Sequence, residues 1–286
     1  MNKSTVFLAP AKINRFLHIV GQRPDGYHLL ETVFQMIDLC DEISIELRDD
    51  GVITRQAGLD TVPEDRDLMI RAAKLLQSHT QTALGCNLSI KKMIPMGAGL
   101  GGGSSDAATV LIALNQLWRT NLSREKLADL GLQLGADVPF FIFGKNAFAQ
   151  GIGEKLQEIK LEKSCFLLIY PQVHIATSEI FSDRNLTRNH PKVTISDLSE
   201  RAHLPEFGNN DCEKVAVQRH PEVARAIEWL KTKAPNTYPK MSGSGSTVFA
   251  QMAPELANQL LAQLPDQWIG FVCWSVEQHP AYNTVL

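Results

Sequence analysis

Residues 95–108 read Pro-Met-Gly-Ala-Gly-Leu-Gly-Gly-Gly-Ser-Ser-Asp-Ala-Ala, and an apolar run over residues 109–118 follows at once. Gly97, Gly99, Gly101, Gly102 and Gly103 occupy five of seven consecutive positions. A backbone so poor in Cβ atoms can take positive φ and lie against a ligand, but each glycine adds unfolded-state entropy that folding must offset. A plain connection needs one or two, so the density itself points to a closely approaching guest. Ser104, Ser105 and Asp106 suit an N-cap and first turn, and Ala107, Ala108, Val110, Leu111, Ala113, Leu114 and Leu117 recur at helical spacing. The expectation is a helix that starts where the glycines stop, with its unpaired N–H groups and positive dipole end aimed into the loop. Such a concavity suits an anion, above all a polyphosphate.

Two familiar phosphate motifs fit poorly. Gly97, Gly99 and Gly102 match G-x-G-x-x-G in form, but the acidic residue expected about twenty positions later at the end of a second strand is absent. Position 122 is Leu, beside Asn121 and Ser123, at a turn between helices. Nor is this a P-loop, since Gly103 runs directly into Ser104 with no lysine between. A cation for the phosphates has to come from elsewhere in the chain.

A net charge of −3 with no Lys/Arg run argues against a nucleic-acid or membrane-surface partner. Cys40, Cys86, Cys165, Cys212 and Cys273 stand singly, which fits reduced packing thiols and neither a disulfide frame nor a zinc site. Val6-Phe7-Leu8 before Ala9-Pro10-Ala11 imitates an export signal, but the apolar part falls short of the roughly 7–15 residues required. A cytoplasmic protein is expected.

Residues 5–20 alternate around Pro10, predicting a strand, a break at the proline and a second strand over 16–20. Lys12 and Asn14, two apart, share a face there. Residues 42–47 read as a strand, 67–78 as a helix, and 88–90 as a short strand feeding the glycine loop. Ser123 can cap a helix running to about residue 134. Asp137 then enters the apolar run 138–143, either as a cap or turn aspartate or as a pre-positioned base. A second unit begins near residue 160, with a strand over 166–170, a short helix over 177–181 and helices over 213–217 and 221–231. The loop Ser242-Gly243-Ser244-Gly245-Ser246 follows, then strand 247–251, helix 254–264 and strand 271–275, alternating as in a small α+β sandwich.

Taken together, residues 95–108, Pro10-Ala11-Lys12-Ile13-Asn14 and the loop 242–246 resemble the phosphate-binding, first and C-terminal glycine motifs of the GHMP small-molecule kinases. Arg23-Pro24-Asp25-Gly26-Tyr27-His28 and Leu134-Gly135-Ala136-Asp137-Val138-Pro139 are similar to the branch acting on a nucleotide-linked alcohol. The resemblance implies an α+β, two-domain fold: a ribosomal-protein-S5-like domain over 1–160, a ferredoxin-like α/β sandwich over 161–286, and the active site in the cleft between them. It implies ATP and Mg2+ as cofactors, with the γ-phosphoryl group passing to the 2-hydroxyl of a cytidine-diphosphate-linked methylerythritol in isoprenoid precursor synthesis. Pro95, Met96, Gly97, Ala98, Gly99, Leu100, Gly101, Gly102, Gly103, Ser104 and Ser105 would hold the nucleotide, one of the two serines assisting the metal or the β-phosphate. By the same resemblance Asp137 is the general base and Lys12 the electrostatic stabiliser, consistent with the missing cation. Asn14 would touch substrate near the reacting hydroxyl, and Tyr27, His28, Thr177 and Phe181 would line the cytidine pocket. Asp106 departs from the pattern: it either faces away from the loop or weakens anion binding. Other acceptors, homoserine or mevalonate, and a non-catalytic ATP binder are the alternatives; the Tyr27-His28 pair speaks against the first and the joint presence of Lys12 and Asp137 against the second. A monomer or weak homodimer is expected.

Overall fold

Two long antiparallel strands carry the first fifty residues: β1 (Thr5–Gln22) and β2 (His28–Arg48), joined by a turn over residues 23–27. The computed structural model describes residues 4–58 and 62–284. Contrary to the expected break, β1 passes through Pro10 with a register shift between Pro10 and Ala11. Proline brings no N–H to the ladder, and a bulge lets the pairing step past it without ending the strand. Residues 42–47 likewise form only the last part of β2, which continues through Asp41 although that side chain is fully buried.

Along the rest of the chain come β3 (Ile53–Ala57), α1 (Leu68–Thr80), β4 (Gly85–Lys91), α2 (Gly102–Leu117), α3 (Arg124–Leu132), α4 (Val138–Phe143), β5 (Ala147–Gly151) and β6 (Lys155–Glu158). Then follow β7 (Cys165–Tyr170), α5 (Thr177–Phe181), α6 (Ile195–Glu200), α7 (Glu213–Arg219), α8 (Pro221–Lys233), β8 (Lys240–Met241), β9 (Val248–Gln251), α9 (Pro254–Leu261) and β10 (Ile269–Val276). The sheet runs β3-β4-β2-β10-β7-β9-β8, with β1 and β5 also paired to β2 and β6 to β5. A two-residue contact joins the two halves, Ser275 opposite Ile37 and Val276 opposite Met36.

Three of the four apolar clusters among the described residues follow this layout. One lies under α1, α2, α3 and α4 against β1, β2 and β4. A second gathers β7, β9, α7, α8 and α9, and takes Leu17 and Ile19 from the far end of β1. The third, with Ala11, Ile13, Ile37, Ala98, Leu100, Phe166 and Phe249, sits between them and includes two residues of the glycine loop. In α2 every residue from Ser105 to Leu114 is buried. A helix enclosed on all sides belongs at the centre of a core, so its N-terminus, and the loop it ends in, are held by that core.

The helix begins earlier than its composition implies. Gly102 and Gly103 are its first residues, and Gly101, in the left-handed region at φ 72°, is its N-cap. Ser104, Ser105 and Asp106 therefore lie inside the first two turns, not before them. Asp106 points away from solvent at 3% exposure and meets Lys92, whose Nζ donates to its Oδ2 at 2.8 Å and to Asp41 Oδ2 at 2.5 Å. Asp41 also accepts the backbone N–H groups of Met93 at 2.6 Å and Ile94 at 2.9 Å, fixing the turn that delivers the chain into the glycine loop. One ammonium facing two buried carboxylates leaves a charge in excess. Burial, and then the repulsion of Asp41, push Asp106 up to about 8 against the pull of Lys92. Its Oδ1 has no hydrogen-bond partner among the described residues to support the ionised form. Burial draws the Lys92 value down, but Asp106 and Asp41 outweigh it and the value is raised. Lys92 thus faces two buried carboxyls, and burial together with the repulsion of Asp41 disfavours the ionised form of Asp106.

A carboxyl whose value rises from 3.8 in the unfolded chain to about 8 in the fold favours the folded state at low pH. That contribution is lost as pH climbs through this window and is flat above it. Asp106→Asn removes the titration while keeping the shape. We expect its melting temperature to gain on that of the parent from pH 5 to pH 8, by about 5 °C or more, with no further gain at pH 9. Thermal unfolding of both proteins at each pH checks this; a constant difference would show that Asp106 is ionised throughout.

Candidate active site

Three contacts turn the carbonyls of the glycine loop inward. The Lys12 backbone N–H donates to Leu100 O at 2.9 Å, Thr247 N–H to Ala98 O at 3.1 Å, and Ser242 Oγ to Gly99 O at 2.9 Å. Among the described residues no backbone carbonyl accepts from the N–H groups of residues 99–104. Those donors, together with the N-terminus of α2, form the anion-attracting surface that the glycines permit. Gly99 shows why a side chain is excluded: at φ 76°, an added Cβ would stand 2.1 Å from Ser242 O. The loop 242–246 is thus packed backbone against backbone on the first loop. Asn210 holds it there, its Nδ2 donating to Met241 O at 2.7 Å and Gly243 O at 2.8 Å.

These loops border a cleft of about 930 Å3, whose wall brings together most of the residues singled out in the sequence. Lys12, Asn14, Tyr27, His28, residues 95–104, Asp137, Thr177 and Phe181 all line it. Ser105 does not: it is fully buried, its carbonyl accepts from Thr109 Oγ1 at 2.7 Å, and its own hydroxyl has no partner among the described residues. Of the two serines, Ser104 alone is on the cleft wall.

At the centre stands Lys12, 3% exposed. Its Nζ donates to Asn14 Oδ1 at 2.6 Å, lies 3.6 Å from Asp137 Oδ2, and sits 5.1 Å from the centre of the Phe34 ring. A buried ammonium needs such compensation, because burial without a partner costs several kcal/mol. Asn14 is fixed in turn by its Nδ2, which donates to Thr32 Oγ1 at 2.9 Å, and by its backbone N–H on Ser242 Oγ at 3.3 Å. Asp137 occupies the N-cap position of α4, but at φ −84° and ψ −14° its side chain makes no capping bond. The carboxylate is consequently left for the cleft, where a third of its side chain is exposed against 4% for Lys12.

At the other end of the cleft, His28 and Phe181 approach with ring centroids 5.0 Å apart and planes 51° apart. Tyr27 is 59% exposed at the rim. Thr177 Oγ1 lies 3.0 Å from Ser244 Oγ, linking this end to the second glycine loop. Sequence reasoning passed over Asn210 and Arg188, and over Lys92 and Arg66, which also line the cleft. Asn210, Lys92 and the Arg188 contact to His28 reach partners 14 to 160 residues away, and no local pattern marks such contacts.

The chain is similar to proteins whose names state an activity. Residues 67–145 match the family described as GHMP kinases N terminal domain, and residues 195–270 match GHMP kinases C terminal. A 4-diphosphocytidyl-2-C-methyl-D-erythritol kinase of Cupriavidus metallidurans is 50% identical over 273 residues, 95% of this chain and 93% of the relative. One of Burkholderia multivorans is 50% identical over 281 residues, 96% of this chain and 95% of the relative. A crystal structure of 4-(cytidine 5'-diphospho)-2C-methyl-D-erythritol kinase superposes with a TM-score of 0.81 at 31% identity, covering 95% of this chain and 99% of the other. The homoserine kinase of Cytophaga hutchinsonii, at TM-score 0.69 and 16% identity over 98% and 97% of the two chains, shares the fold. Matched by both halves of the family and by relatives 50% identical over nearly its whole length, the chain belongs to the GHMP kinases.

Proposed function

We propose that this protein transfers the γ-phosphoryl group of ATP to the 2-hydroxyl of 4-diphosphocytidyl-2-C-methyl-D-erythritol in the cytoplasm. The observation that carries the reading is the Lys12–Asp137 contact at 3.6 Å, opening onto one cleft with the glycine loop at its side and the His28–Phe181 pair at its far end. The names of relatives that are 50% identical over 95% of this chain support the choice of acceptor. We also propose that the chain divides near residue 160, a reading supported by the separate apolar clusters of β7–β9 and of α1–α4. Ala281 returns to the N-terminal cluster.

Phosphoryl transfer asks mainly for positioning and for charge that meets the charge developing on the transferred group. Asp137 accepts the proton of the acceptor hydroxyl, its oxygen free of any cap bond and turned to the cleft. Lys12, held by Asn14 and unable to relax toward water, presents its cation between that hydroxyl and the amides of the loop. Asn14 orients the acceptor while its own amide stays anchored on Thr32.

Among the described residues no group of three or more His, Cys, Asp or Glu side chains could hold a metal ion. Mg2+ carried in by a nucleotide needs no such group, because this ion keeps its waters and takes phosphate oxygens with one or two oxygens from protein. Ser104, on the cleft wall, would supply one. Bound there, Mg2+ would neutralise phosphate charge.

In a coupled ADP-release assay with this acceptor, Asp137→Asn is expected to lower kcat by roughly 10^2–10^4 while ATP affinity stays within a few-fold of the parent. Full activity in that variant would remove Asp137 from the chemistry. Lys12→Met, which keeps the apolar stem, is expected to lower kcat by about 10^2–10^3. Chelation of divalent ions is expected to stop turnover with the circular dichroism spectrum unchanged, and added Mg2+ to restore it; loss of fold on chelation would point to a resident structural metal instead.

A further inference from the structure

We propose that Arg188 sets the choice of cytosine over uracil in the acceptor pocket, by fixing which ring nitrogen of His28 carries the proton. The inference rests on the cytidine-linked acceptor proposed above. Arg188 lies in the loop after α5 and spends its donors on both walls of the pocket. Its Nε donates to His28 Nε2 at 3.0 Å, its Nη2 to Phe181 O at 3.1 Å and Asp183 O at 2.9 Å, and its Nη1 to Leu186 O at 3.1 Å. A guanidinium only donates, so His28 Nε2 must offer its lone pair and the proton must sit on Nδ1. Burial, and then the Arg188 charge, hold the His28 value below that of an ordinary imidazole, which keeps the ring neutral.

With Nε2 engaged, Nδ1–H is the polar ring atom that His28, a cleft-wall residue, has left for a ligand. Cytosine presents an unprotonated N3 and O2, both acceptors, to such a donor. Uracil carries a hydrogen on N3 and would set donor against donor at that point. A mismatch that leaves a polar group unpaired is worth roughly tenfold or more in selectivity. Through Phe181 O the same guanidinium also sets the spacing of the ring that faces His28. Arg188 is therefore a positioning residue, acting through His28 without touching the reacting atoms.

The test compares the full-length parent with Arg188→Met on cytidine- and uridine-diphosphate-linked methylerythritol, with ATP, and reads the His28 tautomer from its imidazole 15N shifts. The parent should favour the cytidine acceptor at least about tenfold in kcat/KM and show the Nδ1-protonated ring. In Arg188→Met, KM for the cytidine acceptor should rise roughly tenfold with kcat and KM for ATP within about twofold, the preference should fall toward parity, and the ring should become a mixture of tautomers. An equal rise in KM for both acceptors, leaving the preference intact, would assign Arg188 a merely structural role and overturn the inference. So would Nε2 protonation in the parent, a measurement that stands even if the variant fails to fold. Turnover of neither acceptor by the parent would sink the kinase reading, and this inference with it; that failure is distinguishable because it precedes any substitution.

Discussion

A loop that offers its amides to a ligand has to hide its carbonyls, and the rest of the molecule is arranged around that requirement. The three carbonyls of residues 98–100 are taken up by donors from β1, from Ser242 and from Thr247, two of which lie nearly 150 residues further along the chain. The first glycine loop is therefore finished only when the second glycine loop docks on it. This explains the glycines at the contact: Gly99 and Gly243 meet through backbone atoms, with Gly243 so close that an added Cβ would stand 3.0 Å from Gly99 O. It also gives the joint between β10 and β2 a purpose. Though only two residues long, it fixes the second unit, and with it Ser242, against the first.

Much of this was legible in the chain, and what was not has identifiable causes. The density of glycine marked the loop, the spacing of apolar residues marked α1 and α2, and Ser123 as a cap marked α3. Where the helix begins was misread because Gly102 and Gly103 carry a weak helical preference that the enclosed core overrides. Residues 138–143 are apolar almost throughout, so periodicity could not separate helix from strand. β3, β5 and β6 are short, and sequences such as Lys155-Leu156-Gln157-Glu158 become strands through pairing partners supplied from far away. Asp41 hid the continuity of β2, since a carboxylate in a strand reads as an interruption until Lys92 and the amides of Met93 and Ile94 are seen to satisfy it.

Site residues follow the same division. Lys12, Asn14, Asp137 and the loop lie in dense local motifs, and these line one cleft. Ser105 shares the motif but not the cleft, because successive residues at a helix start point about 100° apart and one of two neighbours must face the core. Asn210 and Arg188 were invisible for the opposite reason. Their worth lies in which carbonyls and ring nitrogens they reach, and those partners are 31 to 160 residues away or in turns without a signature.

The asymmetry of the Lys12–Asp137 pair follows from where each is anchored. Lys12 comes from the middle of a strand with neighbours on both faces, so its ammonium is enclosed and is compensated by fixed groups: an amide oxygen, an aromatic face and one carboxylate oxygen. Asp137 comes from the tip of a short helix, with a cap position that it occupies without using. The cation thus cannot follow its partner into solvent, and the carboxylate can exchange part of its contact with Lys12 for a hydrogen bond to an incoming hydroxyl. A pair with both members buried would resist that exchange, and a pair with both exposed would be screened by water. One enclosed cation and one accessible carboxylate, on two elements held by a single core, is the arrangement that the proposed proton transfer requires.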